Sequence, residues 1–340
     1  NPSGNFTAQA AVALSGAQVI GTQIATIARE MAEVSMQKSE QDISNQVKTL
    51  YYSALVMEQT VDLLEKNLDN MKKLHQLTET SVKVGVSEQT DADKLSVQVA
   101  SMETSINSTK RSLEMIYNSL RLQLGVDVNT EIELNQSIDD LLNIESAMSL
   151  VSSDFVLDNN YNYQLVKQNV DLSKKQVTLN AWNYGPTVSA YYQFTTKTYF
   201  GKDEGFNMTP PNLVGASINI PIFSSGVNYN KLRAAKISYK EQLNTLSNTE
   251  DALKVQHRQL VYNLKSAFES FDTQKKNIEV SQRVFNNISK KYENGMASSL
   301  DVTNSGTTLI SAQSSYVQAL MELVSAQVAL EGLLNTNDNK

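Results

Sequence analysis

A chain of 340 residues could form two ordinary domains, but its net charge of −7, with no block of lysine or arginine, argues against nucleic acid as a partner, since phosphate binding needs a clustered basic face. With no cysteine and only two histidines, His75 and His257, it has no material for thiol chemistry, disulfides or a Cys/His zinc site. There is also no Ser/His/Asp set, no phosphate-binding loop and no convincing acid pair, so catalysis, nucleotide, cofactor and metal have no candidate residues.

In chain order, Phe6, Ala8, Ala10, Val12 and Leu14 alternate with Thr7, Gln9 and Ser15, which predicts a strand with one apolar face. After Gly21 the period changes. Ile43, Leu50, Met57, Leu64 and Met71 recur every seven residues, the first four of them followed four later by Val47, Ala54, Val61 and Leu68 in turn, a coiled-coil seam. Val84-Gly85-Val86-Ser87-Glu88-Gln89-Thr90-Asp91 breaks it, with a glycine to end one helix and a carboxylate to open the next. Val99, Ile106, Leu113 and Leu120, with Leu95, Met102 and Ile116, mark the returning helix. Residues 22–125 therefore read as one antiparallel helical hairpin whose outgoing arm is the longer.

Residues 126–184 mix Leu pairs with Asn, Ser and Asp, as in Asp139-Asp140-Leu141-Leu142, then offer Asp158-Asn159-Asn160 as a cap for a helix from Tyr161 to about Trp182. Residues 185–226 hold two more alternating runs, Val188 to Lys197 and Val214 to Ile222, joined by a polar loop from Gly201 to Asn212: a strand hairpin ended by Ser224-Ser225-Gly226. Residues 227–337 give a second helical hairpin. Its seam is Leu264, Phe271, Ile278, Phe285 and Tyr292, then Val302, Leu309, Tyr316, Leu323 and Leu330, on either side of Glu293-Asn294-Gly295-Met296-Ala297-Ser298-Ser299-Leu300-Asp301.

The second half repeats the first. Gly85 aligns with Gly295 at an offset of 210 and Val12 with Val214 at 202, so the helices of the two repeats are expected to differ by about two turns. The two longest runs free of Gly and Pro, 22–84 and 227–294, would each span roughly 95–100 Å, too long for a compact globule. No window reaches eighteen or so uninterrupted apolar residues, so any membrane crossing falls to the strands of 1–21 and 185–226. Strands with one apolar and one polar face, fused to helices too long to cover them, fit a lipid-facing barrel with a watery lumen. Three visible strands cannot close one, so several copies would pool theirs.

The order strand, long helix, Val84-Gly85 with Thr90-Asp91, returning helix, then the same again after Ala181-Trp182-Asn183-Tyr184-Gly185-Pro186-Thr187 and Ile220-Pro221-Ile222-Phe223, resembles the TolC-like outer-membrane efflux proteins, the outer membrane factors, over the whole chain. The resemblance implies a mainly α fold with β, in which duplicated coiled-coil hairpins build a periplasmic tunnel and β-hairpins from three chains build a twelve-strand outer-membrane barrel. This chain would lack the family's first helices and first strand. It would act as a homotrimeric exit duct for small molecules, embedded in outer-membrane lipid and working with an inner-membrane pump and a periplasmic adaptor. A duct for protein secretion and, in another class, a pore-free coiled-coil scaffold stand as alternatives.

By the same resemblance Gly85, Val86, Gly295 and Met296 would be the tips that dock the adaptor. Thr90, Asp91, Tyr292, Asp301 and Asn304 would line or latch the periplasmic entrance, where a ring of carboxylates favours cations. Ala297 stands where some members carry an arginine that pairs with the first turn's acid, and Asn304 where some carry a further acid. On the residues alone, Asp91 and Asp301 are helix N-terminal acids and the glycines are helix caps. His75 and His257 read as surface or seam residues, and Trp182 with Tyr184 as an interface anchor or as packing where helix meets strand.

Overall fold

The computed structural model describes residues 3–136, 144–200 and 210–335. Their order is β1 (Ser3–Leu14), α1 (Gly16–Lys83), α2 (Gln89–Leu124), α3 (Ile144–Val151), a 3-10 turn (Leu157–Asn159), α4 (Tyr161–Trp182), β2 (Thr187–Tyr199), β3 (Asn212–Asn219), α5 (Val227–Glu293) and α6 (Ser299–Leu334). Asp139 to Leu142, and the part of the polar loop before Pro210, lie outside the described residues. The chain divides into two compact units, residues 1–37 with 161–252 and residues 38–160 with 253–340.

The first unit holds the sheet, antiparallel in the order β1-β2-β3. The register aligns Leu14 with Val188 and Ile218, and Ala10 with Tyr192 and Val214, so the apolar parities of all three strands share one face. That face is open: Phe6, Val12, Leu14, Val214 and Ile218 are all exposed. The opposite face carries Thr7, Gln9 and Ala13 beside Thr195, Gln193 and Ser189. There Tyr191 lies over Gly215, where any Cβ would collide with its ring. At the helix end of the sheet the Trp182 indole packs on Gly16 and Gly185, so this residue seals the junction of helix and strand.

Two boundaries differ from the sequence expectation. Helix α1 begins at Gly16, with Gly21 inside it. Ser15 caps the start, its N–H donating to Gln18 Oε1 at 3.2 Å while its carbonyl accepts from Gln18 N at 3.1 Å, and this overrides the roughly 1 kcal/mol that a helical glycine costs. Strand β3 stops at Asn219, short of Ile220 and Ile222, because Pro221 has no N–H to give a ladder. The expectation that the repeats' helices differ by two turns is corrected too. Helices α1 and α5 have 68 and 67 residues, and α2 and α6 have 36 each. Most of the extra residues lie in the connection: Ser15 alone joins β1 to α1, whereas Ile220 to Gly226 join β3 to α5.

In the second unit both long helices end in the same way. Gly85 and Gly295 adopt φ of 76° and 71°, and the N–H groups of Val86 and Met296 reach back to the carbonyls of Ser81 and Lys291 at 2.9 and 2.7 Å. These are Schellman caps, and they free α2 and α6 to return alongside. Burial follows the seam. Leu64, Met71, Leu264, Phe271, Phe285, Val302, Leu309, Leu323 and Leu330 are buried, whereas Ile43 is exposed. One cluster gathers Met71, Leu74, Leu95, Met102, Phe285, Val302 and Leu309, and another gathers Leu55, Val56, Leu264, Phe271, Leu320, Leu323 and Leu330. Buried amides interrupt this apolar interior: Asn67 pairs reciprocally with Gln282 at 3.3 and 3.5 Å, and Gln313 is 2% exposed.

Helix α6 is long and apolar enough by overall composition to cross a membrane, although no stretch of it is uninterruptedly apolar. Its leucines and valines are instead the core of the helical unit, with 44% of that window buried in protein.

One substitution should act with opposite signs at two glycines. A Cβ at Gly21 meets nothing within 4 Å in a helical backbone, so Gly21→Ala should stabilise by up to about 1 kcal/mol. At Gly85 the space is equally open but φ is 76°, so Gly85→Ala should destabilise by about 1–2 kcal/mol. Thermal unfolding followed by circular dichroism checks both.

Candidate functional site: the paired helix turns

Asp91 and Asp301 occupy equivalent places, each in the first turn of a returning helix. They do different work because the cap residue before each differs. Ser298 caps α6: its Oγ accepts from Asp301 N at 3.2 Å, and its own N–H and Oγ donate to Asp301 Oδ2 at 2.9 and 2.7 Å. This is a capping box, with Asp where Glu is usual. The backbone N–H and then the hydroxyl of Ser298 hold the Asp301 carboxyl below its ordinary pKa.

In the first repeat the cap is Glu88, whose side chain makes no cap hydrogen bond. Asp91 is left to bond elsewhere, and its carboxylate accepts from Ser299 Oγ on α6. Ser299 is buried, and its bond is the largest cause of a lowered Asp91 pKa, opposed by partial burial and reinforced by Lys94 at 3.5 Å. A second tie runs beside it. Tyr292 on α5 meets Thr78 on α1, their hydroxyls 2.6 Å apart. Since the Thr78 proton is given to Leu74 O at 2.8 Å, Tyr292 is the donor. The first repeat's hairpin is thus bonded to the second's by both helix pairs, α2 to α6 and α1 to α5. The Met71–Phe285 cluster lies with these ties, and Gly306 admits it: a Cβ there would meet Met71 Cε at 3.1 Å.

Of the other residues singled out by sequence, Thr90 is exposed and donates to Glu88 Oε2 at 3.2 Å. Asn304 joins neither tie. It lines a groove of about 650 Å³ between α5 and α6 with Gln274, Asn277, Ser281 and Ser311, none of them charged. The four turn residues stand clear of the core, with Val86 79% and Met296 70% exposed, although a Schellman cap commonly packs that position against its own helix. His257 stacks on Phe155 at 5.0 Å between centroids, and burial lowers its pKa.

The sequence reading passed over Ser299 and Thr78. A signal existed for the first: at the repeat offset, Glu88 stands where Ser298 does, so only the second turn has Ser-x-x-Asp, and the Asp91 carboxylate has no capping serine to bond.

The direction of the Asp91 shift sets a pH dependence. A carboxyl whose folded pKa lies below its unfolded value, near 4, adds stability above that value and loses it as pH falls through the folded pKa. Ser299→Ala should therefore lower the melting temperature at pH 5–8, by the equivalent of about 1 kcal/mol, with the difference shrinking as pH falls through the folded pKa. Ser298→Ala should cost about 1 kcal/mol through the lost cap. Thermal scans across that pH range measure both.

The sequence model of the family described as outer membrane efflux protein matches residues 3–126 and 154–336. The outer membrane efflux protein BepC of Brucella suis is 23% identical over 302 residues, covering 87% of this chain; the chain spans 64% of that protein's length. The fold is that of the outer membrane protein VceC of Vibrio cholerae, with a TM-score of 0.74 at 16% identity over 98% of this chain and 87% of that one. It is equally that of the open-state MtrE outer membrane channel of Neisseria gonorrhoeae, with a TM-score of 0.77 at 13% identity over 98% and 80% of the two chains. With both repeats matched by the family model, this chain belongs to the outer membrane efflux protein family and is a protein of the outer membrane.

Proposed function

We propose that the protein is the exit duct of a tripartite efflux system: a homotrimer whose strands pool into a twelve-strand barrel and whose helices form a tunnel across the periplasm. It would pass small molecules delivered by an inner-membrane pump and joined through a periplasmic adaptor. The observation that carries this reading is the sheet. Its apolar face is open to the surroundings along three strands, and among the described residues β1 and β3 each have one edge without a partner. Water would penalise both features, whereas a closed barrel in lipid satisfies the edges and covers the face.

The turns supply the entrance. Gly85, Val86, Gly295 and Met296 present two backbone caps and two exposed apolar side chains, a surface suited to the tips of an adaptor's own helical hairpin. Thr90, Asp91, Tyr292, Asp301 and Asn304 form the gate. The Asp91–Ser299 and Tyr292–Thr78 bonds lie within one protomer, so opening that moves the α5–α6 hairpin must break them. They take the place of an arginine latch, for which Ala297 offers no charge.

Single-particle imaging of the full-length protein in detergent should give threefold particles with a barrel at one end. Water-soluble monomers would remove the proposal. In planar bilayers, Asp91→Asn and Ser299→Ala should raise open-channel conductance or its frequency, since losing about 1 kcal/mol of latch shifts a closed–open equilibrium roughly fivefold per protomer. Unchanged conductance would exclude this bond from the gate.

A further inference from the structure

The connection from β3 to α5 holds the most exposed large apolar residues of the first unit, Ile222 at 96% and Phe223 at 86%. They are part of a segment that the first repeat lacks, since Ser15 alone makes the corresponding passage from β1 to α1. Pro221 ends the strand, and the left-handed backbone of Ser225 and Gly226, at φ of 47° and 79°, turns the chain into the helix. Between them two large hydrocarbon side chains are held out from the fold, an arrangement that water opposes.

The neighbouring residues indicate what covers them. Ile220 and Ile222 continue the sequence parity of Val214, Ala216 and Ile218, the row on the apolar face of the sheet. Directly beyond, α5 opens with exposed Tyr229 and then exposed Lys231, Arg233 and Lys236, and there is no acid from Val227 to Tyr239. Hydrocarbon, then an aromatic phenol, then cations, over roughly 15 Å of helix, is the order of acyl chain, interface and phosphate in one leaflet of a bilayer. The start of α1 has no such order: residues 16–28 contain no charge.

We infer that the β3–α5 connection is a lipid-inserted wedge, with Ile222 and Phe223 among phospholipid acyl chains at the helix end of the barrel and Lys231, Arg233 and Lys236 on the phosphates. The inference rests on the barrel reading above. It assigns the second repeat, and not the first, the task of setting how deep the barrel sits.

These 340 residues have no cysteine, so each single-cysteine variant adds one reporter position among them. Full-length protein carrying Ile222→Cys, Phe223→Cys or Tyr229→Cys, labelled with bimane, is reconstituted in phosphatidylethanolamine–phosphatidylglycerol vesicles. Quenching by lipids brominated on the acyl chain is compared with quenching by aqueous acrylamide. Ile218→Cys on the sheet face and Asn294→Cys in the second turn serve as references. The wedge predicts that positions 222 and 223 lose emission to bromolipid as position 218 does and are protected from acrylamide as position 294 is not, with position 229 between. If 222 and 223 respond to acrylamide while 218 responds to bromolipid, the wedge is overturned and the barrel stands. If 222 and 223 are shielded from both, a second copy covers them, and the wedge is again overturned. If 218 itself is not quenched by bromolipid, the barrel reading fails and takes the wedge with it.

Discussion

A helix of 68 residues cannot bury an apolar stripe against itself, and everything else in the helical unit follows from how that stripe is covered. The Schellman turn at Gly85 brings α2 back along α1, which covers part of it, and the matching turn at Gly295 does the same for α5 and α6. Neither hairpin is sufficient. Two of the three buried clusters draw on both repeats, Met71 and Leu95 packing with Phe285 and Val302, and Leu55 with Leu264 and Leu323, while a third, around Ala54, Tyr117 and Leu120, lies within the first. Duplication is therefore a physical requirement here, since each repeat is the missing half of the other's core.

The elements with strong periodicity were legible without a structure. The heptads placed four long helices, the alternation placed three strands, and the two glycines placed the turns to the residue. The failures have a common cause, in which a residue's usual meaning was overruled by its neighbours. Gly21 marked the change from strand to helical period, but the cap at Ser15 and the packing of Trp182 on Gly16 start the helix earlier. Ile220 and Ile222 kept the rhythm of a strand across a proline that cannot belong to one. The offset of eight between repeats was assigned to the helices, although most of it, six residues, belongs to the connection before α5.

At the turns the residue types were legible and the bonding was not. Sequence placed Asp91 and Asp301 in equivalent positions, and equivalence of position suggested equivalence of role. The single difference between Glu88 and Ser298 makes one carboxylate a local cap and the other a tie between repeats. Long-range partners such as Ser299 for Asp91, or Thr78 for Tyr292, depend on how two hairpins are set against each other, which heptad counting does not report.

The amides in the helical core bear on a different question. Leucine and methionine repeated every seven residues would pack nearly as well if one hairpin slid along the other by a whole heptad. Asn67, buried in that core and bonded to the half-buried Gln282, would not: a slip would strand its amide against hydrocarbon. The pair works as an index mark on an otherwise repeating scale, so that two sliding rulers stop with their two end turns level.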